Sequence, residues 1–205
     1  MTIDQAALQT LVDKDAIREL VLLYSRAIDR QDIALLRDLY TDDATDTHGD
    51  SFDGPAPAYC HFIEGSFPYM PYSGHHVCNH LIAVDGNVAN GEVYALAYHL
   101  IPTRDGGREE DFMAVRYIDN YRRCGDGRWR FSKRVVTYDL KLRRPFTGGG
   151  DLGQGERDPS YAECLLPSSA AAPAAEDISS GHSCSLLATD SLLGPTGARP
   201  PLGGH

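Results

Sequence analysis

Residues 15–32, with the sequence DAIRELVLLYSRAIDRQD, carry the periodicity that decides the fold of the N-terminal part. Apolar residues recur here at positions i, i+3, i+4 and i+7, namely Ile17, Leu20, Val21, Tyr24, Ala27 and Ile28. This spacing is typical of a helix with one apolar face, and it predicts a helix from about Gln5 to Asp29. Asp32 has a side chain suited to an N-cap and predicts a second, short helix directly after it.

From His80 onward the apolar pattern has the period of two that is typical of strands. Strands are predicted at 80–84, 93–101, 112–123 and 128–141, with glycine-containing turns at 85–87 and 125–127. Before them, Asp42-Asp43 and Gly49 are expected to break regular structure, and residues 55–70 are compatible with a third short helix between loops. Helices first and antiparallel strands after them predict an α+β fold with a sheet curled over helices.

The composition changes near Phe146. Of the 59 residues from 147 to 205, 24 are Gly, Pro or Ser, and Tyr161 is the only aromatic residue. Such a segment buries too little apolar surface to offset the entropy of ordering it. We therefore predict an α+β domain at residues 1–146 and a largely disordered or loosely draped tail at residues 147–205.

The charge balance restricts the partners that the protein can bind. The 205 residues include 29 acidic and 19 basic residues, a formal net charge of −10, whereas nucleic acids and anionic membranes need clustered Lys and Arg. No apolar run approaches the ~20 residues of a membrane-spanning helix, and the N-terminus lacks the pattern of a signal peptide. We expect a cytoplasmic protein that binds neither nucleic acid nor membrane.

The cysteines and the missing motifs predict no metal and no cofactor. The five cysteines are widely spaced and form no CxxC pair, which favours free thiols in a reducing compartment over a zinc or redox motif. The sequence contains no GxGxxG, Walker A, GxSxG or HExxH motif. This argues against nicotinamide and phosphate chemistry.

Asp29 and residues 75–80, with the sequence HHVCNH, are the first candidates for chemistry. Asp29 lies beside the apolar Ile28, where desolvation would favour a role as a base; a solvated last turn of the helix is the alternative. Three histidines in six residues suggest a metal, but His75 and His80 would point to opposite faces of a strand. A single neutral His that acts as a base and is held by a carboxylate fits better, and loop histidines that bond to the backbone are the alternative.

Further candidates lie on the predicted sheet. His99 would share a strand face with small apolar residues, which either leaves room for a ligand or makes it a core histidine. Arg116 lies in the middle of a strand and needs a partner, either a carboxylate such as Asp119 or Asp139 or an anionic group of a ligand. Arg134 is equally ambiguous.

An aromatic segment precedes His75. Residues 67–72, with the sequence FPYMPY, contain Tyr69, Met70 and Tyr72. Aromatic and methionine side chains beside a candidate base predict the mouth of a pocket for an aromatic ligand. Filling of the core or of a subunit interface is the alternative.

Five segments in order resemble the SnoaL-like branch of the nuclear-transport-factor-2-like superfamily. They are DAIRELVLLYSRAIDRQD at 15–32, LYTDDATDTHG at 39–49, HHVCNHLIAVDG at 75–86, RYID at 116–119 and GRWRFSKRVVTYD at 127–139. The resemblance covers residues about 8–143 and implies a cone-shaped α+β barrel, with a curved, mostly antiparallel sheet wrapped around N-terminal helices and a deep pocket. Relatives such as scytalone dehydratase, hexachlorocyclohexane dehydrochlorinase, bile-acid 7α-dehydratase and deformylating diarylpropane lyases are mostly cofactor-free and often trimeric.

The resemblance also implies which residue is the base. Asp29 falls at the position of an Asp that orients a His in the dehydratase and the dehydrochlorinase, and His75 falls at the position of that proton-abstracting His. Asn79, four residues later, would fix His75. His76 is the alternative base if the register slips by one residue.

Other site residues follow from the same resemblance. Tyr24 stands where the dehydrochlorinase has a catalytic Lys, and His48 stands where the fungal dehydratase has a Tyr that activates the leaving or carbonyl oxygen. His99 lies on the strand that supplies the second His of that enzyme. Arg134 matches a functional Arg by its distance from Trp129, although its strand parity requires either a bulge or an outward side chain. The predicted substrate-binding residues are Tyr40, Tyr69, Tyr72, Asn79, Arg116 and Arg134.

Together these features predict a cofactor-independent lyase that acts on a small aromatic, phenolic substrate. The protein would be a homo-oligomer, and the resemblance implies a trimer. His75 would take a proton from carbon while Asp29 holds one tautomer, and water or formaldehyde would leave. An isomerase or cyclase with the same base is one alternative; a non-catalytic ligand-binding protein or an accessory subunit of a ring-hydroxylating oxygenase is the other.

Overall fold

Four helices lie among the residues that the computed structural model describes, 4–150 and 158–163. They are α1 (Gln5–Asp29), α2 (Ile33–Asp38), α3 (Ala56–Ser66) and a single turn, α4 (Ser160–Glu163), and a 3-10 turn at Phe67–Tyr69 follows α3. The bounds of α1 match its periodicity, and Asp32 caps α2 by accepting the backbone N–H of Leu35 at 2.9 Å. None of these helices is long and apolar enough to cross a membrane.

The strands of the described residues form one mixed sheet. They are β1 (Tyr40–His48), β2 (Phe52–Pro55), β3 (Tyr72–Asp85), β4 (Val88–Pro102), β5 (Arg108–Arg123) and β6 (Trp129–Pro145). Their order is β2-β1-β6-β5-β4-β3, in which β1 runs parallel to β6 and every other neighbouring pair is antiparallel. Helices with a mostly antiparallel sheet confirm the predicted α+β class, whereas the deep pocket stays a prediction.

The apolar face of α1 packs on one side of this sheet. Ile17, Val21 and Ala27 are fully buried, and the same core cluster includes Val93 of β4 and Phe131 of β6. Along β4 and β5, side chains alternate between this helix-facing side and an outer side. The place of a residue in this alternation therefore decides whether its side chain reaches the interior.

β1 crosses a place where the sequence predicts a break. Asp42 and Asp43 lie within the strand, but both are exposed, and the register with β6 is irregular there. Asp43 accepts from Nη1 of Arg122 at 3.1 Å. The strand continues because the two carboxylates stay in solvent, and the chain turns only at Gly49, where φ is +49°.

A bulge in β3 reverses the expected direction of one histidine. Val77 pairs with Ala95 and His80 with Val93, so β3 advances three residues while β4 advances two. One extra residue shifts the alternation and returns His80 to the more buried side, which His75 also faces. The expectation that these two histidines point to opposite faces does not hold for this reason.

A second bulge lies in β6. Phe131 pairs with Tyr121 and Lys133 with Asn120, so β6 gains one residue against β5. As a result Arg134 is fully buried, like Phe131. Of the two alternatives that the sequence leaves open for Arg134, the bulge is the one observed.

The described part of the tail contacts the last turns of α1. Asp158 is buried, and its Oδ2 lies 2.7 Å from Nε of Arg30. Arg26 donates from Nη1 to Oγ of Ser160 at 3.1 Å, and the hydroxyl of Tyr161 donates to the carbonyl oxygen of Arg30 at 3.2 Å. Residues 151–157 and 164–205 lie outside the described residues, so the predicted disorder of the tail stays a prediction.

Candidate active site

Asp29 and His75 form a hydrogen-bonded pair where α1 ends beside β3. Nδ1 of His75 lies 2.7 Å from Oδ1 of Asp29, and the backbone N–H of His75 donates to Oδ2 at 2.9 Å. The hydroxyl of Ser73 donates to the same Oδ1 at 3.1 Å. Only 9% of the His75 side chain and 15% of the Asp29 side chain are exposed. A carboxylate on Nδ1 fixes the tautomer of the ring and leaves Nε2 as the nitrogen that can take a proton.

The sequence brings this pair together through two simple features. Asp29 is the last residue of α1, and β3 is the edge strand against which α1 packs. Strand alternation turns His75 inward and leaves His76 exposed. The histidine at Asp29 is therefore His75 and not its neighbour.

His99 of β4 lies next to the pair. Its ring centroid is 5.4 Å from that of His75, in an edge-to-face arrangement. Burial, and then the neighbouring His75, lower the pKa of His99 to about 3. His99 is therefore neutral at physiological pH and can offer a hydrogen bond without a charge. Among the described residues, no three His, Cys, Asp or Glu side chains are grouped so that they could hold a metal ion.

An open groove gives access to Asp29 and His75. Its volume is ≈ 460 Å³, a size that suits a small organic molecule. The lining residues are Glu19, Leu22, Leu23, Ser25, Arg26, Asp29, Arg30, His75 and Val77. Arg26 and Arg30 of this lining also contact the described part of the tail, at Ser160 and Asp158 respectively.

A second hydrogen-bonded group surrounds His48. Nδ1 of His48 lies 2.5 Å from Oδ1 of Asp46, and the hydroxyl of Tyr40 donates to Oδ2 at 2.6 Å. On the other side of the ring, Nε2 lies 3.2 Å from the hydroxyl of Tyr59 and 3.4 Å from that of Tyr24. The two hydroxyls are 2.6 Å apart. The structure thus brings three predicted site residues, Tyr24, Tyr40 and His48, into one network.

Arg134 lies against Tyr24 in a fully buried ion pair. Its Nε and Nη2 donate to the two carboxylate oxygens of Asp119 at 2.8 and 2.7 Å. The guanidinium carbon is 4.0 Å from the ring centroid of Tyr24, 4.3 Å from that of Tyr117 and 4.2 Å from that of Phe131. The remaining nitrogen, Nη1, is buried without a hydrogen-bond partner among the described residues. It can therefore donate to an oxygen of a ligand.

Tyr117 lies beside Tyr24 and Arg134. Its ring centroid is 6.1 Å from that of Tyr24 and 4.3 Å from the guanidinium carbon of Arg134, and burial raises its pKa, with a smaller upward contribution from the carboxylate of Asp119. Burial likewise raises the pKa of Tyr24 and of Tyr59 well above the usual range of a phenol. These hydroxyls therefore stay protonated and act as neutral hydrogen-bond donors.

Three predicted substrate-binding residues lie away from these groups. Asn79 is exposed in the bulge of β3, and the partners of His75 are Asp29 and Ser73 instead. Tyr69 is 70% exposed. The ring of Tyr72 packs 6.0 Å from that of Tyr98, which belongs to the outer side of the sheet. The predicted aromatic mouth is therefore not assembled by these two tyrosines.

Arg116 also faces the outer side of the sheet. Its Nε and Nη2 donate to the carboxylate of Asp139 at 2.8 and 3.1 Å, and Nη1 donates to Glu92 at 3.0 Å. Asp119, the other expected partner, pairs with Arg134. Of the two alternatives for Arg116, the structure shows the salt bridge. The side chain lies on the outer side of the sheet and does not reach the interior.

Three residues of these groups were not predicted from the sequence. Asp46 stands two residues before His48 and Ser73 two residues before His75, so strand alternation puts each pair on one face. For Asp46, the breaks expected at Asp42-Asp43 and at Gly49 argue against a strand and so hide this signal. Tyr59 gives no local signal, because only the packing of α3 brings it to His48.

Solved structures similar to the chain share its fold. A protein provisionally named as a scytalone dehydratase, from Novosphingobium aromaticivorans DSM 12444, is 23% identical over 72% of this chain and 97% of its own, with a TM-score of 0.60. The type 3 hexachlorocyclohexane dehydrochlorinase of Novosphingobium barchaimii LL02 is 21% identical over 69% of this chain and 95% of its own, with a TM-score of 0.59. The Kfla4162 protein of Kribbella flavida is 22% identical over 65% of this chain and 95% of its own, also with a TM-score of 0.59. At these identities the likeness shows the fold alone.

The sequence itself matches a family. No curated protein matches the chain, but the sequence model of the SnoaL-like domain family matches residues 9–135. This match spans more than half of the 205 residues and includes Asp29, His75 and Arg134. The chain therefore belongs to the SnoaL-like domain family.

Proposed function

We propose that this protein is a lyase in which His75 removes a proton from carbon and a group leaves the neighbouring carbon. The contact of 2.7 Å between Nδ1 of His75 and Asp29 carries the proposal, because it directs Nε2 of a fixed imidazole to the substrate. Two structural relatives are named for eliminations, a dehydration and a dehydrochlorination. They support the reaction class and leave the substrate open.

The leaving group that we propose is attached through oxygen. Tyr24 is a buried, neutral hydroxyl, which can give a proton to a departing oxygen. Departure of chloride would instead be helped by an unpaired positive charge, and Arg134, the cation beside Tyr24, is already paired with Asp119. Nη1 of Arg134 can still hold an oxygen of the substrate in place.

A small phenolic compound is the substrate class that we propose. The groove at Asp29 and His75 has apolar walls from Leu22, Leu23 and Val77, which suit an aromatic ring. An aromatic ring attached to the reacting carbon delocalises the charge that develops when the proton of that carbon is removed. One positioned base contributes a rate enhancement of ~10²–10⁴-fold, which gives a faster reaction on such an activated carbon than on an unactivated one.

The test is an activity screen of the full chain with phenolic β-hydroxy compounds and diaryl-propanediols. The protein is treated with a chelator and assayed without added cofactors, beside a His75→Gln variant. A new conjugated chromophore that depends on His75 is the expected result. Formaldehyde beside the chromophore would indicate cleavage of a carbon–carbon bond, and its absence would indicate loss of water.

Two outcomes would overturn the lyase proposal. A rearranged product of unchanged mass would indicate an isomerase or cyclase with the same base. Tight binding of panel members without turnover would indicate a ligand-binding protein. Calorimetric titration of each compound, measured beside the activity, separates these outcomes.

A further inference from the structure

Two arginines lie in the groove beside the candidate base. Arg26 and Arg30 are one helical turn apart at the C-terminal end of α1, and both line the groove that holds Asp29 and His75. The chain as a whole carries a formal net charge of −10, which repels anions. Glu19, the remaining charged residue of the lining, lies about three turns before Arg30 on the same helix. The end of the groove at Arg30 is therefore the place where an anionic group of a ligand can bind.

The guanidinium of Arg30 has an open edge. Its Nε lies 2.7 Å from Oδ2 of Asp158, and 31% of the Arg30 side chain is exposed. The terminal nitrogens of Arg30, Nη1 and Nη2, form no hydrogen bond with residues 4–150 or 158–163. These two nitrogens present a planar pair of N–H donors, which matches the two oxygens of a carboxylate. Asp158 thus uses one side of the guanidinium and leaves the other side for a ligand.

Arg30 already binds one carboxylate of its own chain. This carboxylate is fixed, since the backbone N–H of Ser160 donates to Oδ1 of Asp158 at 2.9 Å and only 6% of the Asp158 side chain is exposed. Arg26 holds the same segment by donating from Nη1 to Oγ of Ser160 at 3.1 Å. A ligand carboxylate on the open edge would share one guanidinium with Asp158, and the two anions would repel each other. Asp158 therefore weakens the binding of an anionic ligand to Arg30.

We propose that Arg30 binds a carboxylate of the substrate, so that the substrate is a phenolic carboxylic acid rather than an uncharged phenol. The inference rests on the proposed function, which takes this groove as the substrate site, and it narrows the substrate class. The aromatic ring contacts the apolar walls and the carboxylate contacts Arg30. Two such attachments orient the molecule along the groove beside His75. Arg30 is a binding residue, and Asp158 acts only through it.

The test compares two probes that differ in charge and little in size, para-hydroxyphenylpropanoic acid and its primary amide. Both are titrated calorimetrically into the full chain at pH 7, where the acid is ionised. We expect the wild type to bind the acid about 10-fold more tightly than the amide, the usual gain from hydrogen bonds to a charged group. In Arg30→Gln the two affinities should become equal, whereas Arg30→Lys, which keeps the charge without the planar donor pair, should retain part of the preference. Arg18→Gln is the matched control, because Arg18 is exposed on the same helix and lies outside the lining of the groove.

Asp158→Asn supplies a gain of binding that loss of structure would not produce. The amide oxygen of asparagine can still accept the backbone N–H of Ser160, but the negative charge that competes for Arg30 is gone. We expect the acid to bind several-fold more tightly to this variant than to the wild type and the amide to bind equally to both. Thermal melts by circular dichroism show whether each variant is folded, and the ratio of the two affinities cancels a general loss of binding.

Three results would overturn the carboxylate site. They are equal affinities of acid and amide in both the wild type and Asp158→Asn, absence of binding of either probe to these two proteins, and a preference for the acid that survives in Arg30→Gln. The titrations need no turnover, so they are independent of the activity screen. Equal affinities would leave the His75 chemistry intact, whereas a screen without turnover would overturn the lyase and leave the preference for the acid to be measured.

Discussion

The Asp29 carboxylate holds His75 at two points, since one oxygen lies 2.7 Å from Nδ1 and the other accepts the backbone N–H at 2.9 Å. The ring and the main chain of the histidine are thereby fixed to the end of α1 together. A base that must meet one substrate carbon depends on such fixation, because a misplacement of about 1 Å can cost ~10²-fold in rate.

Asp29→Asn should lower kcat by ~10²–10⁴-fold while the protein stays folded. An amide offers one acceptor oxygen, so it cannot serve both Nδ1 and the backbone N–H of His75, and it removes the charge that stabilises a protonated ring. Steady-state kinetics and thermal melts by circular dichroism measure the two effects. Ser73→Ala, which removes one donor to the same carboxylate, should lower kcat less; an unchanged kcat in Asp29→Asn would contradict the role of the pair.

His75→Gln should abolish turnover, whereas His76→Gln should leave it close to that of the wild type. The two residues are adjacent in β3, but only His75 faces Asp29, and His76 is exposed. Each variant changes one histidine of the same strand, so the comparison cancels general effects on β3. Loss of activity in His76→Gln with retention in His75→Gln would show that the register of the site is shifted by one residue.

Asp119→Asn should destabilise the fold by ~3–5 kcal/mol, because it leaves the buried guanidinium of Arg134 without its counter-charge. The double variant Asp119→Leu with Arg134→Met should lose less than the single one, since no charge remains buried. Urea unfolding measures these free energies. Glu64→Gln, in the exposed pair with Arg37, is the control and should cost ~0–1 kcal/mol.

The stability of the protein should fall as the pH falls below about 6.5. Burial lowers the pKa of His99 to about 3 and that of His80 to about 4. The unfolded chain therefore binds more protons than the folded one between pH 6.5 and these values, and the free energy of unfolding decreases over that window.

The variant His99→Gln isolates one of these protons. Between pH 6 and pH 4 its unfolding free energy should depend on pH less steeply than that of the wild type, by about 1.4 kcal/mol per pH unit, which corresponds to one proton. Urea midpoints at several pH values provide the slopes.

Deletion of residues 150–205 should leave a folded core with a slightly lower Tm. The described tail contacts are one ion pair and a few hydrogen bonds at the end of α1. Loss of about 1 kcal/mol at such a site corresponds to about 2–4 °C. Asp158→Asn should reproduce part of that shift. An insoluble truncated protein would show that the tail is needed for folding.

The elements that the sequence predicts best are those whose signal is local. α1 has the bounds of its apolar period, and the turns at 85–87 and 125–127 separate the strands as expected. The sequence does not predict β1, because its two aspartates suggest a loop and because its partner β6 lies about 90 residues further along the chain. Long-range pairing of this kind leaves no trace in a short window of sequence.

The same contrast between local signals and long-range contacts holds for the residues of the candidate site. The resemblance to SnoaL-like proteins implies a pair between Asp29 and His75, and the structure joins these two residues. Tyr59 could not be found, since it reaches His48 only when α3 packs on β1. Tyr69 and Tyr72 looked like part of a pocket because they are near His75 in the sequence, yet strand alternation and exposure place them elsewhere.

The extra residue of β3 divides the strand into two stretches whose side-chain alternation is offset by one residue. Before the bulge, His75 faces inward and contacts Asp29 at the end of α1. After the bulge, His80 faces inward, and its Nε2 lies 3.2 Å from the hydroxyl of Tyr121. Deletion of Cys78 would make the alternation continuous along β3 and would force one of the two histidines to face solvent. Replacement of Cys78 by Ser would leave the direction of both histidines unchanged. The number of residues between Val77 and His80, more than their identity, therefore keeps both His75 and His80 on the inward side of β3.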